Sequence, residues 1–226
     1  MRKVFLTVVA VMIMLCQTAL AATPSPQWVK NLPAARNSEQ MVVVAGIQGA
    51  TAWISMHEKN SAGDWEQIMT TPGFIGKNGL GKVREDDKKT PVGTFHFNYA
   101  FGIASDPGCA IPYTQVNEHH YWSGDKNYKY NQFVNDKETP ANFDKNVSEH
   151  LIACAPEYTY ALSFDYNASC TPGKGFALFI RCLNAVEPWT GGGVALPEDK
   201  MLIVMQHVLP DCVFVIDSLK NLGGKL

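Results

Sequence analysis

Hydrophobic and polar residues alternate in several short segments of the chain, which is the pattern of half-buried β-strands. In residues 51–58, Ala52 and Ile54 fall on one face, and Trp53 and Ser55 fall on the other. The same alternation, or a short β-branched apolar run, predicts further strands at residues 41–47, 65–70, 92–101, 158–165, 175–182 and 212–217. The chain is therefore predicted to be rich in β-strands.

One helix is predicted near the C-terminal end of the sequence, beginning at Pro197. Proline suits the first position of a helix, and Glu198 beside it is favoured by the positive end of the helix dipole. Apolar residues then recur at the helical spacing i, i+3, i+4 and i+7, namely Met201, Val204, Met205 and Val208. Pro210 ends the pattern. Because no alternation of strands and helices occurs, the sequence excludes a βαβ sheet and favours strands with one packed helix.

The first 21 residues have the features of an export signal. Arg2 and Lys3 precede an apolar run over residues 4–15, and Ala19-Leu20-Ala21 has the small-x-small pattern of a cleavage site. A membrane anchor is the alternative, but the run is shorter than the roughly 18 to 20 apolar residues that span a bilayer. We therefore expect residues 1–21 to be removed, with no transmembrane anchor left. The mature protein is then expected in the periplasm or cell envelope, or secreted.

The remaining chain is predicted to form one domain after a linker. Residues 22–40 are rich in Pro, Ala, Ser and Asn without a periodic pattern, which is typical of a linker, and residues 41–226 form the domain. A long section without periodicity, residues 106–145, carries several aromatic residues. It is predicted to be an ordered functional loop or lid, or alternatively a surface insertion packed by its own aromatic side chains.

Composition and charge narrow the classes of partner. Of 226 residues, 46% are hydrophobic, and 19 basic against 21 acidic residues give a net charge of −2. This balance provides no extended basic surface, so no nucleic-acid partner is expected.

Five cysteines remain after the signal, so disulfides are plausible in an exported protein but at least one thiol stays unpaired within the chain. No motif implies a cofactor, and His119-His120 is typical of a surface pair rather than a metal site.

Residues 79–95 read GLGKVREDDKKTPVGTF. This segment resembles the "GKxREGDxxTPxGxF" motif of L,D-transpeptidase (YkuD-type) catalytic domains, which precedes a core strand. Further segments resemble one exported bacterial branch of that family in the same order along the chain: 100–108, 121–122, 130–134, 148–151 and 172–175. A series of motifs in order is more specific than any one of them. The resemblance implies a mainly β, L,D-transpeptidase-like sandwich or barrel with one C-terminal-region helix packed on the sheets.

Members of this family are Cys-His enzymes that act on peptidoglycan. A thiolate attacks a carbonyl of a stem tetrapeptide, releases the terminal D-alanine and passes the acyl group to an amine on a neighbouring strand. Here the strand that should end in the family histidine reads FALFIR and ends at Arg181, and the family cysteine motif reads TGGGVAL, with Gly193 at the cysteine position. Glycine has no nucleophile, and a guanidinium with a pKa above about 12 is not a base near neutrality. The resemblance therefore implies a domain without the family's catalytic dyad.

Binding could remain where catalysis is lost. The Arg181 guanidinium and the backbone amides of Gly191, Gly192 and Gly193 could hold a carboxylate, since guanidinium forms charge-assisted hydrogen bonds to such groups. Thr190, directly before these glycines, is a further candidate substrate-binding residue. Peptidoglycan stem peptides are rich in carboxylates. The alternative is that Arg181 lies at the rim of a site that has lost its function, with its charged end in solvent and no ligand bound.

One further histidine and one cysteine are candidates for the functional site, whereas a second histidine is not. His150, in the sequence SEHL, is a candidate substrate-binding residue, or else a structural histidine bonded to the backbone. His57 is predicted to be solvated on the polar face of its strand. Cys182 could be a replacement nucleophile beside Arg181, but successive strand side chains point to opposite faces, so we expect it in the core or in a disulfide.

Three functions are consistent with these residues. The first is an exported, catalytically degenerate domain that binds peptidoglycan stem peptides or regulates cell-wall remodelling. The second is an active L,D-transpeptidase or carboxypeptidase with an unassigned nucleophile. The third is a secreted interaction module that binds an envelope protein through the aromatic loop 121–133.

Overall fold

Eight strands close into a barrel in the computed structural model of the chain, which describes residues 23–184 and 186–225. The strands are β1 (Thr23–Pro24), β2 (Gln40–Gln48), β3 (Thr51–Lys59), β4 (Trp65–Phe74), β5 (Gly93–Gly102), β6 (Tyr113–Gln115), β7 (His120–Trp122), β8 (Phe133–Asn135), β9 (Glu149–His150), β10 (Ala161–Phe164), β11 (Phe179–Cys182), β12 (Val194–Leu196) and β13 (Val213–Ser218). The helices are α1 (Gln27–Lys30) and α2 (Glu198–His207), with 3₁₀ turns at Pro33–Arg36, Lys145–Val147 and Leu151–Ala153. The predicted export signal lies outside the described residues.

The barrel runs in the order β4-β12-β11-β10-β5-β13-β2-β3, and β3 pairs with β4 to close it. Most neighbours are antiparallel, while β11 pairs parallel with β12 and β13 pairs parallel with β2. Alternate side chains point inward and form the main core, which includes Ile54, Leu162, Ile180 and Phe214. The mainly β class with one packed helix, predicted from the sequence, is confirmed.

Helix α2 packs on this core with the residues that the apolar spacing predicts. Met201, Val204 and Met205 are buried and belong to the core cluster, as does Val208 just after the helix. The predicted strand at 175–182 is shorter in the structure. Gly175 and Ala177 have positive φ angles, which breaks the extended conformation before Phe179.

Residues 23–36, which the sequence predicted to be part of a linker, pack against the outside of the barrel. β1 pairs with β4, and Val29 of α1 is fully buried in an outer cluster with Met41 and Val215. These elements are too short to give a periodic pattern, so the sequence did not indicate them. Their packing also explains why the prediction of a solvated His57 is wrong: its polar strand face is covered, and His57 is 0% exposed.

Residues 106–145 are ordered and contribute β6 to the edge of β5 and two strands to a small sheet, β8-β7-β9. Trp122 packs on Phe101 and Phe179 of the barrel wall, with ring centroids 6.1 and 4.8 Å apart. The aromatic residues of this section therefore fix the small sheet to the barrel.

The five cysteines of the described residues are all free thiols. Within residues 23–184 and 186–225, no helix is long and apolar enough to cross a membrane.

Candidate functional site

Arg181 and the glycine segment, Gly191 to Gly193, line one cleft. They are brought together because β11, which carries Arg181, and β12, which follows the glycines, are parallel neighbours. Arg181 lies opposite Ala195 in the β11–β12 pair, and Gly193 is two residues before Ala195, so Arg181 and Gly193 fall on the same face of the sheet. The cleft has a volume of about 340 Å³. Its walls include residues from four segments: Lys82, Glu85, Asp86 and Lys88; Glu149, Cys154 and Glu157; Gly175 to Phe179 and Arg181; and Thr190 to Gly193.

The Arg181 guanidinium has donors available for a ligand. One of its nitrogens donates to the backbone carbonyl of Cys182 at 2.8 Å. Among the residues that the structure describes, Arg181 forms no ion pair with a carboxylate. A guanidinium carries five N–H donors, so most of them are unused and available to an anion.

The glycine segment is held by two threonine hydroxyls. The Gly193 carbonyl accepts hydrogen bonds from Thr190 Oγ1 at 2.7 Å and from Thr90 Oγ1 at 3.0 Å. Gly192 N–H donates to Thr190 Oγ1 at 3.1 Å, whereas Gly191 N–H has no acceptor within the described part of the chain. Thr190 therefore fixes the loop, and the Gly191 N–H is available to a ligand.

Gly193 lies where no side chain fits. A Cβ on this residue would lie 2.5 Å from the Phe179 carbonyl oxygen, which is closer than real Cβ contacts. A Cβ on Gly191 would have nothing within 4 Å. Residue 193 is thus closely surrounded by backbone, while the position two residues earlier opens on free space.

A buried ion pair supports the part of the cleft wall that contains Lys82. Lys82 Nζ lies 2.8 Å from Asp87 Oδ1, and the two side chains are only 2% and 8% exposed. The Asp87 carboxylate also accepts backbone N–H groups from Val83, Arg84 and Lys89 at 2.8 to 3.1 Å. Burial alone would raise the pKa of Asp87, but these four hydrogen bonds hold it well below its ordinary value. The carboxylate is therefore charged and organises loop 82–89.

Cys154, Glu149 and Glu157 line the same cleft as Arg181. Cys154 Sγ lies 3.6 Å from Glu149 Oε2, which also accepts from the Tyr158 hydroxyl at 3.4 Å. Burial and the nearby Glu149 charge raise the pKa of the Cys154 thiol to about 12, although Arg181 opposes this shift. The group is thus a neutral thiol near pH 7. Within residues 23–184 and 186–225, no three His, Cys, Asp or Glu side chains are grouped to hold a metal ion.

Sequence reasoning selected His150 from the SEHL segment, but its neighbour Glu149 is the residue that lines the cleft. The two residues form β9, where successive side chains point to opposite sides. The His150 ring stacks on Tyr121 with centroids 4.5 Å apart, and its Nε2 lies 3.0 Å from the Glu118 carbonyl oxygen. Alternation along β9 was the signal that could have identified Glu149.

Cys182 lies on the opposite side of β11 from Arg181, as the alternation predicted. Its side chain is 1% exposed and belongs to the main core. Burial raises its pKa to about 12. Cys154, which the sequence reasoning did not single out, is the cysteine that lines the cleft.

The aromatic loop proposed for a protein partner is largely inward-facing. Trp122 is 5% exposed and Tyr121 is 8% exposed. Trp122 Nε1 donates to Asn131 Oδ1 at 2.9 Å, and the same oxygen accepts from Ala177 N–H at 3.1 Å. These residues therefore position the segment that leads into β11.

No protein-family model matches the chain, and no curated protein matches it. Among solved structures, the chain is similar to the helical cell shape determining protein Pgp2 from Campylobacter jejuni, with 14% sequence identity and a TM-score of 0.40. The match covers 80% of this chain and 49% of the Pgp2 chain, so this chain spans about half of that length. At this identity and TM-score, the match assigns no function to the chain.

Proposed function

We propose that this chain is an exported, L,D-transpeptidase-like domain of the cell envelope that lacks acyl-transfer chemistry and binds peptidoglycan stem peptides. The observation that carries the proposal is the meeting of Arg181 and the glycine segment in one cleft. The two positions that resemble the family's catalytic pair lie together, but they hold a guanidinium and a glycine. Such a cleft favours binding of an anion over nucleophilic attack.

The charges of the cleft support a peptide ligand that carries both signs. Arg181 and the free N–H of Gly191 can hold a carboxylate, which forms strong hydrogen bonds to both types of donor. Glu149 and Glu157 line the same cleft and can accept from an ammonium group. Stem peptides of the kind that the resemblance implies offer both a carboxylate and the amine of a diamino acid.

Replacing Arg181 with alanine is expected to weaken binding of a disaccharide-tetrapeptide by about 10- to 100-fold, since a hydrogen bond to a charged group contributes about 1.5 to 3 kcal/mol. Isothermal titration calorimetry on the purified protein measures this loss. Arg36→Ala is the matched control, because Arg36 is exposed in the 3₁₀ turn at 33–36 and does not line the cleft. An unchanged affinity in Arg181→Ala would overturn the proposal.

A second candidate function, an active enzyme with a replacement nucleophile, is favoured by one observation: Cys154 lines the cleft beside Arg181. The raised pKa of its thiol opposes this function, because the thiolate is the attacking species. We expect iodoacetamide to modify Cys154 slowly at pH 7 and faster as the pH rises toward about 12. Peptide mapping of the alkylated protein at several pH values measures the rate.

Incubation with disaccharide-tetrapeptides, followed by mass spectrometry of products and of the intact protein, separates the two functions. The degenerate domain is expected to give neither a trimmed or cross-linked product nor an acyl adduct. An adduct on Cys154 that is absent in Cys154→Ala would establish the second function instead.

A further inference from the structure

A second group of hydrogen-bonded polar side chains lies on the outside of the barrel, where the N-terminal segment covers β3. Ser55 Oγ lies 2.7 Å from His57 Nε2, and His57 Nδ1 lies 2.8 Å from Ser25 Oγ. Ser55 and His57 are two residues apart on β3, so their side chains share one face, and Ser25 follows β1. A hydroxyl bonded to one imidazole nitrogen, with the other nitrogen held by a third group, is the arrangement of an activated nucleophile and its base.

Ser55 is the member of this trio that lines a pocket. The pocket has a volume of about 270 Å³ and is formed by Pro26, Trp28, Trp53, Ser55, Gln67, Leu219 and Lys225. Trp53 is 40% exposed, although large apolar side chains elsewhere in the barrel are mostly buried. Two indole walls suit a flat aromatic group. This pocket shares no residue with the Arg181 cleft.

The polar groups of the pocket could serve a developing oxyanion. The Gln67 carboxamide lines the pocket and has no hydrogen-bond partner in residues 23–184 and 186–225. Its N–H₂ group is therefore free to donate to a carbonyl oxygen. Lys225 adds a positive charge at the same pocket.

We propose that Ser55, His57 and Ser25 form a nucleophilic site for small carboxylic esters of aromatic alcohols. Ser55 Oγ attacks the ester carbonyl while its proton passes to His57 Nε2. The ester C–O bond breaks, and the alcohol leaves with the proton from His57, so that Ser55 becomes acylated. Water then attacks the acyl group by the same proton transfers, which yields the carboxylic acid and restores Ser55. Ser25 is a positioning residue that fixes the imidazole orientation.

The environment of His57 determines the protonation state of its imidazole, which is the base in the proposed reaction. His57 is fully buried, and burial lowers its pKa to about 4. Its cross-strand partners on β2 and β4 are Met41 and Gln67, neither of which carries a charge. The imidazole is therefore neutral at pH 7, so its Nε2 can accept the Ser55 proton, although the lowered pKa makes it a weaker base than an ordinary histidine. Since the neutral form is the reactive one, the rate of Ser55 modification is expected to be constant near neutrality and to fall as the pH approaches about 4.

The test treats the purified protein with a fluorophosphonate and with 4-nitrophenyl acetate, and maps the adduct by mass spectrometry. We expect a single adduct on Ser55, none in Ser55→Ala, and a rate lowered about 100-fold or more in His57→Gln, since general-base catalysis contributes about 10²- to 10⁴-fold. Ser163→Ala is the matched control, because Ser163 is also 3% exposed but has no hydrogen bond to a histidine.

Ser25→Ala is expected to slow the reaction and to move the midpoint of its pH profile, which a merely structural change would leave in place. A folded wild-type protein without an adduct on Ser55, or Ser55→Ala with undiminished ester hydrolysis, would overturn the proposal. Because the two sites share no residue, stem-peptide binding is expected to persist in Ser55→Ala, so failure here leaves the proposed function of the cleft unaffected.

Discussion

Replacing Asp87 with asparagine is expected to lower the free energy of unfolding by about 3 to 5 kcal/mol, because the substitution leaves the Lys82 charge buried without its partner. The Lys82 and Asp87 side chains are 2% and 8% exposed, so water can compensate little of the loss. In a chain of this size the change corresponds to a fall in Tm of about 6 to 20 °C. Urea unfolding at pH 7 and thermal unfolding measure the effect.

The matched control is Glu39→Gln, which breaks the ion pair between Lys59 and Glu39. Glu39 is 69% exposed, so its removal is expected to cost less than about 1 kcal/mol. A loss in Asp87→Asn no larger than the loss in Glu39→Gln would contradict a structural role for the buried pair.

The effect of Asp87→Asn depends on pH in a defined direction. The folded-state pKa of Asp87 lies below its ordinary value of about 4, so its stabilising contribution is complete above pH 4 and is lost as the pH falls toward the folded-state value. The difference in stability between wild type and Asp87→Asn should therefore be constant from pH 5 to 7 and shrink below about pH 4. Urea unfolding across this range measures it.

Replacing Gly193 with alanine is expected to lower the free energy of unfolding by about 1 to 3 kcal/mol, as overpacking does in a tight site. The added Cβ would meet the Phe179 carbonyl at 2.5 Å, and a backbone atom cannot move aside as a flexible side chain can. The Gly193 carbonyl is also held by Thr90 and Thr190, so the segment cannot rotate without breaking hydrogen bonds. Denaturant unfolding of the variant and of wild type measures the cost.

Gly191→Ala is the matched control, because a Cβ on Gly191 meets nothing within 4 Å. It is expected to change stability by less than about 0.5 kcal/mol, which is typical of unconstrained surface positions. Equal effects of the two substitutions would contradict the tight fit at residue 193.

The same contact bears on whether the chemistry of the family that the sequence resembles could be introduced into this chain. In a Gly193→Cys, Arg181→His double variant, the cysteine Cβ would meet the same Phe179 carbonyl. We therefore expect this variant to be destabilised and to form no acyl adduct with a disaccharide-tetrapeptide. Recovery of acyl transfer would show that the backbone around residue 193 relaxes enough to accept a nucleophile.

Strong local patterns let the sequence predict most of the barrel. β2, β3, β5 and β13 follow the predicted segments closely, since long alternating or β-branched runs have one favourable way to bury their apolar face. Helix α2 followed from its proline, first-turn acids and apolar spacing. The three-residue strand β12 was not predicted, because so short a segment has no measurable period.

Strand alternation also accounts for where several of the candidate site residues lie. Alternation along β11 assigned Arg181 and Cys182 to opposite faces, which the structure bears out. The same alternation along β9 places Glu149 at the cleft and the candidate His150 on the other side of the strand. Glu157 and Cys154 belong to turns without a period, so local pattern gave no indication of them.

By itself, the sequence determined a mainly β fold with one packed helix, and it placed a guanidinium and a glycine at two positions where the resembling family has a base and a nucleophile. Only the tertiary structure decided that these positions share a cleft with Cys154 and Glu149, that Phe179 leaves no room for a side chain at Gly193, and that the N-terminal segment encloses His57. The physical reason is that strand and helix periods are local, whereas clefts and buried hydrogen bonds arise from residues far apart in the chain, whose meeting depends on the pairing of strands.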